Sequence, residues 1–217
     1  MYNKPMNFND EKHYFETTYR TGADIWSGHN HISRLHTLTD QLDPQAFILD
    51  VGAGRGHVAY HLGKSGFKVI GLEYVSDIVK KNNLEVKDRK LDGRVGFIEG
   101  TVLDIPLADN SFDAITDIAT LHHLRQSDWE LYVREVSRVL KPDGYLFLME
   151  LSRENITYKS WNPKESSTGD FIFEDIVPYH FFTPDEIKNL FPNFTVLSSH
   201  TDTTNDGMYL SILLKKK

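Results

Sequence analysis

Residues 48–56 read Ile48-Leu49-Asp50-Val51-Gly52-Ala53-Gly54-Arg55-Gly56, and this stretch decides the fold of the chain. An apolar run ends at an acid, glycines follow at alternate positions, and helical spacing then begins with Val58, Ala59 and Leu62. The pattern predicts a buried strand that leads through a tight turn into the N-terminus of a helix. Because glycine has no Cβ and tolerates positive φ, such a turn lets a ligand touch bare backbone.

The acid before the glycines helps to identify the ligand that the turn binds. Dinucleotide sites carry G-x-G-x-x-G, with the pyrophosphate at the helix N-terminus. Here the spacing is G-x-G-x-G, and Asp50 stands two residues before the first glycine. A carboxylate at that place repels a pyrophosphate and attracts a cation. The turn therefore favours a cationic ligand.

Strand patterns alternate with helix patterns through the first two thirds of the chain. The predicted strands cover residues 46–51, 67–72, 95–100, 112–117 and 145–149. Helices are predicted at 56–64, 76–90 and 129–140. Such alternation predicts a parallel sheet with right-handed crossovers.

The C-terminal part breaks this alternation. Thr183-Pro184-Asp185-Glu186 predicts a capping box with proline at the first helical position. Residues 194–198 and 208–214 predict two strands, and the short link through Asn205-Asp206-Gly207 favours an antiparallel hairpin.

The motif at 50–56 has the form acid-x-G-x-G-x-G, and with this strand pattern it resembles the class I S-adenosylmethionine (SAM) dependent methyltransferases. The resemblance covers about residues 46–217, is sharpest over 46–150, and extends to the type 11 and small-molecule members. It implies an α/β, Rossmann-like, doubly wound seven-stranded sheet in the order 3-2-1-4-5-7-6, with the last strand antiparallel.

The resemblance assigns cofactor contacts to the ends of the first two strands. It implies that Asp50 lies near the ammonium group of SAM, directly or through water. It assigns Glu73 to both ribose hydroxyls, as a charge-assisted acceptor, and Tyr74 to the adenine. NAD enzymes place an acid similarly, so Glu73 alone does not separate the two cofactors. The residues assigned to the turn itself are Gly52, Ala53, Gly54 and Gly56.

Two further segments match the family after the third and fourth strands. Leu103 is expected to pack on the adenine, and Asp104 to accept from its amino group. Asp117 and Ile118 are expected to face the sulfonium. The alternatives are an ordinary turn at Asp104 and core packing at 117–118.

Aromatic residues gather before the first strand. Tyr14, Tyr19 and Trp26 lie in a pattern similar to the flap of thiopurine and tellurite-resistance type methyltransferases. The resemblance implies a helical flap at 1–45 over the cofactor site of a domain at 46–217. Because aromatic faces attract cations, we expect Tyr14, Tyr19 and Trp26 to pack on the cationic centre of the cofactor. The alternative is a helix whose aromatic residues only cover the sheet.

Methyl transfer from SAM needs positioning, alignment and removal of water more than side-chain chemistry. A general base is needed only if the acceptor must lose a proton, and His122 and His123 are then the candidate catalytic residues. The alternative for both is packing. No metal site is predicted, because adjacent histidines point in different directions and no third ligand stands at a suitable spacing.

The acceptor is expected to bind outside the core of the domain. The segment 152–182 is polar and rich in aromatic residues, and loops of such length are usually functional or disordered. We therefore expect this insertion and the flap to hold a small-molecule acceptor. Packing or dimerisation is the alternative role.

Length, composition and charge limit the number of domains, the function classes and the location that the sequence predicts. The chain has 217 residues, which fits one domain or one domain with a small cap. It contains no cysteine, which excludes thiol catalysis, and its net charge of -7 argues against nucleic-acid binding. With no long apolar run and no secretory signal pattern, we expect a cytoplasmic monomer or homodimer that does not bind membranes.

The leading hypothesis is a SAM-dependent methyltransferase that acts on a small molecule and releases S-adenosylhomocysteine. One alternative is an NAD(P)-dependent Rossmann oxidoreductase, which would carry G-x-G-x-x-G and usually Tyr-x-x-x-Lys or a comparable set. A second alternative is a non-catalytic SAM-binding partner protein, since methyl transfer requires no unique side chain. A protein or RNA methyltransferase is disfavoured by the acidic balance and by the absence of an Asn-Pro-Pro-Tyr type motif after the fourth strand.

Overall fold

The structure is a computed structural model that describes residues 8–24, 32, 34–154, 170–173, 177–204 and 207–217. Nine strands are found in these ranges. They are β1 Phe47–Val51, β2 Lys68–Glu73, β3 Val95–Glu99, β4 Phe112–Ile118, β5 Leu140–Leu151, β6 Asp170–Phe173, β7 Val177–His180, β8 Phe194–Thr204 and β9 Gly207–Lys216.

Seven of these strands form one sheet in the order β3-β2-β1-β4-β5-β9-β8. The first five positions are joined by parallel pairs, whereas β9 runs antiparallel to both β5 and β8. Numbered within this sheet alone, the order is 3-2-1-4-5-7-6 with the last strand antiparallel. The predicted fold class is confirmed.

A second, two-stranded sheet lies in the segment between β5 and the last helix. It pairs β6 with β7 in an antiparallel arrangement, with Asp170 opposite His180. The sequence patterns predict an ordered insertion here but no strands. This hairpin brings Pro178 and Tyr179 next to the turn that follows β4.

Helices cover both faces of the large sheet, which explains why its central strands are continuously apolar. They are α1 Phe8–Thr21, α2 His36–Thr39, α3 His57–Lys64, α4 Ser76–Asp88, α5 Trp129–Val139 and α6 Pro184–Leu190. Successive residues of β1 serve opposite faces, because Ile48 packs with α2, α3 and α4 while Leu49 packs with α5 and α6. Burying each of these side chains contributes about 1.5–3 kcal/mol.

The start of α6 has the predicted capping box. The backbone N–H of Glu186 donates to Oγ1 of Thr183 at 3.3 Å, and Oε2 of Glu186 accepts from the Thr183 N–H at 2.7 Å. Pro184 occupies the first helical turn, where its missing N–H costs no hydrogen bond. None of the helices in the described ranges has the length and apolar character needed to cross a bilayer.

The N-terminal segment divides into two parts that serve different purposes. Helix α1 lies beside the glycine turn, whereas Leu35 and Leu38 at α2 are fully buried in the same cluster as Ile48. Residues around α2 thus complete a face of the sheet. The predicted division of the chain into a flap and a domain at residue 45 stays a prediction.

Candidate active site

A single elongated cleft runs along the carboxyl ends of β3, β2, β1 and β4 in the described part of the chain. Its walls are the segments that follow these strands, and α1 lies over it with Glu11, Phe15 and Tyr19. The cleft encloses about 1170 Å³, including its mouth, which is open to solvent. Three strand spacings of about 4.8 Å give it a length of roughly 14 Å. Ligands of open parallel sheets bind at this edge.

Most of the predicted cofactor residues line this cleft. They are Tyr19, Asp50, Gly52, Ala53, Gly54, Glu73, Tyr74, Leu103 and Ile118, together with the candidate base His123. Gly56, Asp104, Asp117 and His122 lie outside the lining, and Trp26 falls outside the residues that the structure describes.

The glycine turn is shaped by close packing as much as by an open approach. Gly52 has φ of 62°, and a Cβ on it would lie 2.0 Å from Oγ1 of Thr120. A Cβ on Gly54 would lie 3.0 Å from the hydroxyl of Tyr19. Side chains at either place would therefore push away a wall of the cleft.

Two of the predicted cofactor residues serve local structure and do not line the cleft. Gly56 begins α3 in the left-handed region, and a Cβ there would lie 2.6 Å from Phe97, so its lack of a side chain serves packing against β3. Asp104 is exposed and closes a small bridge with Thr101. Its neighbour Leu103 is the residue of that turn that lines the cleft.

Asp50 forms a buried, acidic wall of the cleft. Its Oδ1 accepts from Oγ1 of Thr116 at 2.8 Å, while Oδ2 has no hydrogen-bond partner of normal geometry among the described residues. Burial raises the pKa of Asp50 to about 7, and repulsion from Asp117 and Glu73 adds to the rise. An orphaned carboxylate oxygen of this kind fits the ammonium end of a cationic ligand.

Glu73 is held rigidly at the end of β2. Its Oε2 accepts from the N–H of Gly54 and its Oε1 from the N–H of Val75, both at 2.9 Å. Burial raises the pKa of this carboxyl, and the two backbone hydrogen bonds oppose that rise. A carboxylate has roughly four acceptor sites, so Glu73 keeps capacity for hydroxyl donors such as those of a ribose.

Helix α1 is tied to the glycine turn by an arginine from the motif itself. Arg55 donates from Nε and Nη2 to the two carboxylate oxygens of buried Asp24, at 2.6 and 2.5 Å. It also donates to the carbonyl of Tyr19 at 3.0 Å. A second ion pair joins Glu11 of α1 to Arg125 beyond β4. The helix is thus fastened near its N-terminus by Glu11 and near its C-terminus at Tyr19.

Some residues that line the cleft have no signal in the sequence that would predict them. Phe15, rather than its neighbour Tyr14, lines the cleft from α1. After β4, Ala119 takes φ of 67° and its N–H donates to the carbonyl of Met149, which turns the chain back over Gly52. Thr120 then donates from Oγ1 to the carbonyl of Val51 at 3.1 Å. A left-handed alanine has no signature in the sequence, because the residue is ordinary and only its backbone is unusual.

Asp117 and His122 belong to a buried polar network beneath the cleft. Oη of Tyr132 donates to Oδ2 of Asp117 at 2.5 Å, and Nδ1 of His122 lies 2.6 Å from Oε2 of Glu150. Burial raises the pKa of Asp117 well above its usual value and that of Glu150 to about 8, and repulsion from Glu150 adds to the rise at Asp117. Burial thus favours the protonated form of both carboxyls.

This network corrects the expected position of Asp117. Its side chain is fully buried on the face of the sheet that carries Tyr132, because it pairs with Val51 in the strand register and points the same way. It is therefore not available to face a sulfonium in the cleft. The neighbouring Ile118 points the other way and lines the cleft.

The two adjacent histidines are separated by the fold. His122 is buried with Glu150, whereas His123 lines the cleft between Phe15 and Tyr179, at ring distances of 5.3 and 4.5 Å. Nδ1 of His123 lies 3.2 Å from the carbonyl of Pro178. Neither histidine belongs to a group of three metal-ligating side chains in the described ranges.

The Tyr-x-x-x-Lys pair on α3 does not support hydride chemistry. Tyr60 and Lys64 have this spacing, but the Tyr60 hydroxyl donates to the carbonyl of Asn82 at 3.0 Å. The Tyr60 ring packs against Phe97, outside the lining of the cleft. This pair therefore gives no support to the alternative of an oxidoreductase.

Residues 49–148 match a family model described as a methyltransferase domain. The chain is 31% identical over 146 residues to the uncharacterized methyltransferase YcgJ of Bacillus subtilis, covering 67% of this chain and 53% of that protein. It is 29% identical over 156 residues to the ubiquinone/menaquinone biosynthesis C-methyltransferase UbiE of Rhodopseudomonas palustris, covering 68% of this chain and 61% of that protein. The chain thus spans only 53–61% of the length of these curated relatives.

A solved structure with a similar fold contains a bound product of the cofactor. It is 1,6-didemethyltoxoflavin-N1-methyltransferase of Burkholderia thailandensis with 1,6-didemethyltoxoflavin and S-adenosylhomocysteine. The TM-score is 0.77 at 20% identity, over 96% of this chain and 88% of that one. This likeness shows a shared fold. Taken with the family match and the cleft, it leads to one conclusion: residues 49–148 form a methyltransferase domain of the class I SAM-dependent type, whose cofactor is SAM.

Proposed function

We propose that this protein transfers the methyl group of SAM to a small molecule and releases S-adenosylhomocysteine. The observation that carries the proposal is the pair of buried carboxylates in one cleft. Asp50 has an orphaned oxygen beside the glycine turn, and Glu73 is oriented by two backbone N–H groups one strand away. These two acids match the two ends of a cationic nucleoside.

The residues of the cleft have binding and positioning tasks in this proposal. Bound SAM supplies an activated methyl group on a positively charged sulfur. Asp50 accepts from the ammonium group, Glu73 accepts from the ribose hydroxyls, and Leu103 and Tyr74 enclose the adenine. Helix α1 excludes water from above, which favours an in-line displacement once the acceptor is aligned.

A small acceptor suits the roof of the cleft. Helix α1 is fastened over the mouth by Arg55–Asp24 and Arg125–Glu11, which leaves room for a small molecule more readily than for the surface of a protein or nucleic acid. By their names, the similar proteins act in ubiquinone and menaquinone biosynthesis or on 1,6-didemethyltoxoflavin. The expected cytoplasmic location, oligomeric state and lack of membrane or nucleic-acid partners stay predictions.

We predict that Asp50→Asn and Glu73→Gln each weaken the binding of S-adenosylhomocysteine by about 1–3 kcal/mol, since each loses charge-assisted hydrogen bonds. Isothermal titration calorimetry measures the change. The matched control is Glu99→Gln, because Glu99 is the register partner of Glu73 on β3 but is exposed and lies outside the cleft. Wild-type affinity in both cleft variants would mean that the cofactor pocket has been misassigned.

We also predict that binding of S-adenosylhomocysteine releases a proton from Asp50. The pKa of Asp50 is about 7 in the free protein, and an ammonium group beside it favours the ionised form and lowers that pKa. Affinity should therefore rise with pH up to about pH 7 and then level off, with about 0.9 proton released at pH 6. Calorimetry in buffers of different ionisation enthalpy counts the protons. Asp50→Asn should abolish the release, and an unchanged count in that variant would contradict the assignment.

The second candidate function is a non-catalytic SAM-binding protein. A methyl-donor assay against a panel of metabolites, with product mass read directly, separates it from the enzyme. Formation of S-adenosylhomocysteine together with a methylated product supports the proposed function. Tight cofactor binding with no transfer to any member of the panel would favour the non-catalytic protein.

A further inference from the structure

The end of the cleft near β4 has a different character from the rest. Phe15 of α1 and His123 after β4 line the cleft there, and Tyr179 of β7 packs against His123 from outside the lining; the His123 ring stands edge-on to the other two, at 78° and 70°. His122 stacks nearly parallel to Tyr179, at 14° and 5.8 Å. Three separate elements thus contribute rings to one corner, which we call the aromatic corner and define by Phe15, His123 and Tyr179.

The position of this corner relative to the cofactor follows from the sheet order. Glu73 on β2 marks the ribose end, and Asp50 on β1 marks the ammonium end. The segment after β4 comes next, and its residues Ile118 and Thr120 line the cleft on the way to His123. The aromatic corner therefore lies beyond the reacting end of the cofactor, where an acceptor has to stand. This step rests on the proposed function.

The tautomer of His123 is fixed by its neighbour on β7. A carbonyl oxygen only accepts hydrogen bonds, so Nδ1 of His123 carries the proton that it shares with Pro178. Burial, with His122 nearby, lowers the pKa of His123 well below 6.5, which keeps the ring neutral at pH 7. Nε2 of a neutral imidazole with a proton on Nδ1 is a hydrogen-bond acceptor and a base.

We propose that the methyl acceptor is a planar aromatic or heteroaromatic molecule that binds in the aromatic corner and gives the proton of an O–H or N–H group to Nε2 of His123. Flat rings gain most from edge and face contacts with Phe15 and His123, the two rings of the corner that line the cleft. An acceptor with an ionised aliphatic amine would have to lose its charge and would leave these faces poorly filled. The aromatic corner thus selects an acceptor by its flat shape and by its O–H or N–H group.

The bonds and charges of the step balance without a further reactant. The acceptor oxygen or nitrogen forms a bond to the methyl carbon, the carbon–sulfur bond breaks, and its electron pair remains on sulfur. The proton of the acceptor moves to Nε2 of His123 and from there to water. Because an alkylated O–H or N–H group is strongly acidic, a weakly basic imidazole suffices as the base.

The surroundings of His123 set how it titrates. The titratable and charged groups nearest to it on the elements around it include His122 on its own turn, Tyr179 on β7, Tyr14 and Glu11 on α1, Arg125 and Tyr74. The same elements also carry Asp10, Lys12, His13, Glu16, Tyr19 and Arg20 on α1, and His180 on β7, which pairs with Asp170. Glu11 is paired with Arg125, and His122 with Glu150. Both acids in these pairs are thus engaged with other side chains.

The first test compares classes of acceptor. Phenols, hydroxyquinolines and planar N-heterocycles are offered with SAM beside aliphatic amines, thiols and carboxylates, and the products are weighed. The same aromatic probes are titrated into the complex with S-adenosylhomocysteine while the His123 ring signal is followed by NMR. We expect methylation of aromatic probes only, and a shift of that signal. Preference for an aliphatic acceptor, or no aromatic probe that binds, would overturn the proposal.

The second test separates the base from a packing residue. His123→Gln should lower kcat by about 100-fold or more while the affinity for S-adenosylhomocysteine stays near wild type. In the wild type kcat should rise with pH through a pKa below 6.5 and then level off, because the neutral ring is required. This rise of kcat with pH, the acid limb of the profile, should vanish in His123→Gln and persist in His122→Gln. A limb that persists in His123→Gln would overturn the role of Nε2.

The two levels of the proposal fail in different ways. If aromatic probes bind at His123 but no methyl group is transferred, the enzymatic function fails and the aromatic corner stands. If methyl transfer occurs only to aliphatic acceptors, the function stands and the corner fails. Phe15→Leu adds a check, because it removes one ring and should weaken aromatic probes without moving the pH limb.

Discussion

Replacing Gly52 with alanine is expected to lower the free energy of unfolding by about 3–5 kcal/mol and to abolish measurable binding of S-adenosylhomocysteine. An L residue at φ of 62° costs roughly 1–2 kcal/mol by itself. The new Cβ would also stand 2.0 Å from Oγ1 of Thr120. Thr120 cannot turn away without losing its hydrogen bond to the Val51 carbonyl, which costs about 1 kcal/mol. Chemical denaturation and calorimetry measure both effects.

The chain offers a matched control for this substitution. Gly93 has φ of 74° and no atom within 4 Å of the place that a new methyl group would take, so Gly93→Ala carries the backbone strain without the clash. It should cost about 1–2 kcal/mol and leave cofactor binding intact. Thr120→Ala in the Gly52→Ala background should restore part of the stability, because it removes two of the three clashing atoms. Equal losses in Gly52→Ala and Gly93→Ala would show that strain alone is responsible.

Replacing Glu150 with alanine is the second large effect that we expect. Glu150 is fully buried, and its Oε2 accepts from both Nδ1 and the backbone N–H of His122. Removing it takes away the acceptor of two hydrogen bonds from His122 inside the core. The expected loss is about 3–5 kcal/mol, whereas Glu150→Gln keeps the volume and one acceptor oxygen and should cost about half as much.

The pH dependence of this loss has a definite sign. The pKa of Glu150 is about 8 in the folded protein against 4.5 ordinarily, so between these values the folded state holds a proton that the unfolded chain has released. Wild-type stability should therefore fall as pH rises through this window. Glu150→Gln removes this contribution, so its deficit should shrink from about pH 5 to about pH 8. The free energy of unfolding of both proteins is measured by chemical denaturation at each pH. A difference between wild type and Glu150→Gln that stays constant across this range would contradict the buried proton on Glu150.

Local patterns were sufficient for the architecture. The glycine motif and the alternation of strands and helices are read within short windows, and they predict the parallel sheet directly. The strand order came from the resemblance, and the structure agrees with it. The hairpin of β6 and β7 was not predicted, because short strands that pair only with each other leave little pattern.

The site was harder to predict than the fold because side-chain direction depends on where an element ends and how it docks. Asp117 stands one residue beyond Thr116, so it takes the opposite side of β4 from the residue that contacts Asp50. Phe15 and Tyr14 differ only in helix phase, which is set by the docking of α1. The bond between Arg55 and Asp24 spans 31 positions of the sequence, and neither residue carries a sign of the other.

The ring of Phe15 contacts two walls of the cleft, with Tyr74 at 5.8 Å on one side and His123 at 5.3 Å on the other. Phe15 therefore joins the wall assigned to the donor to the wall assigned to the acceptor in the proposals above. Any factor by which the bound donor changes the affinity for the acceptor through this ring is returned equally by the acceptor to the donor.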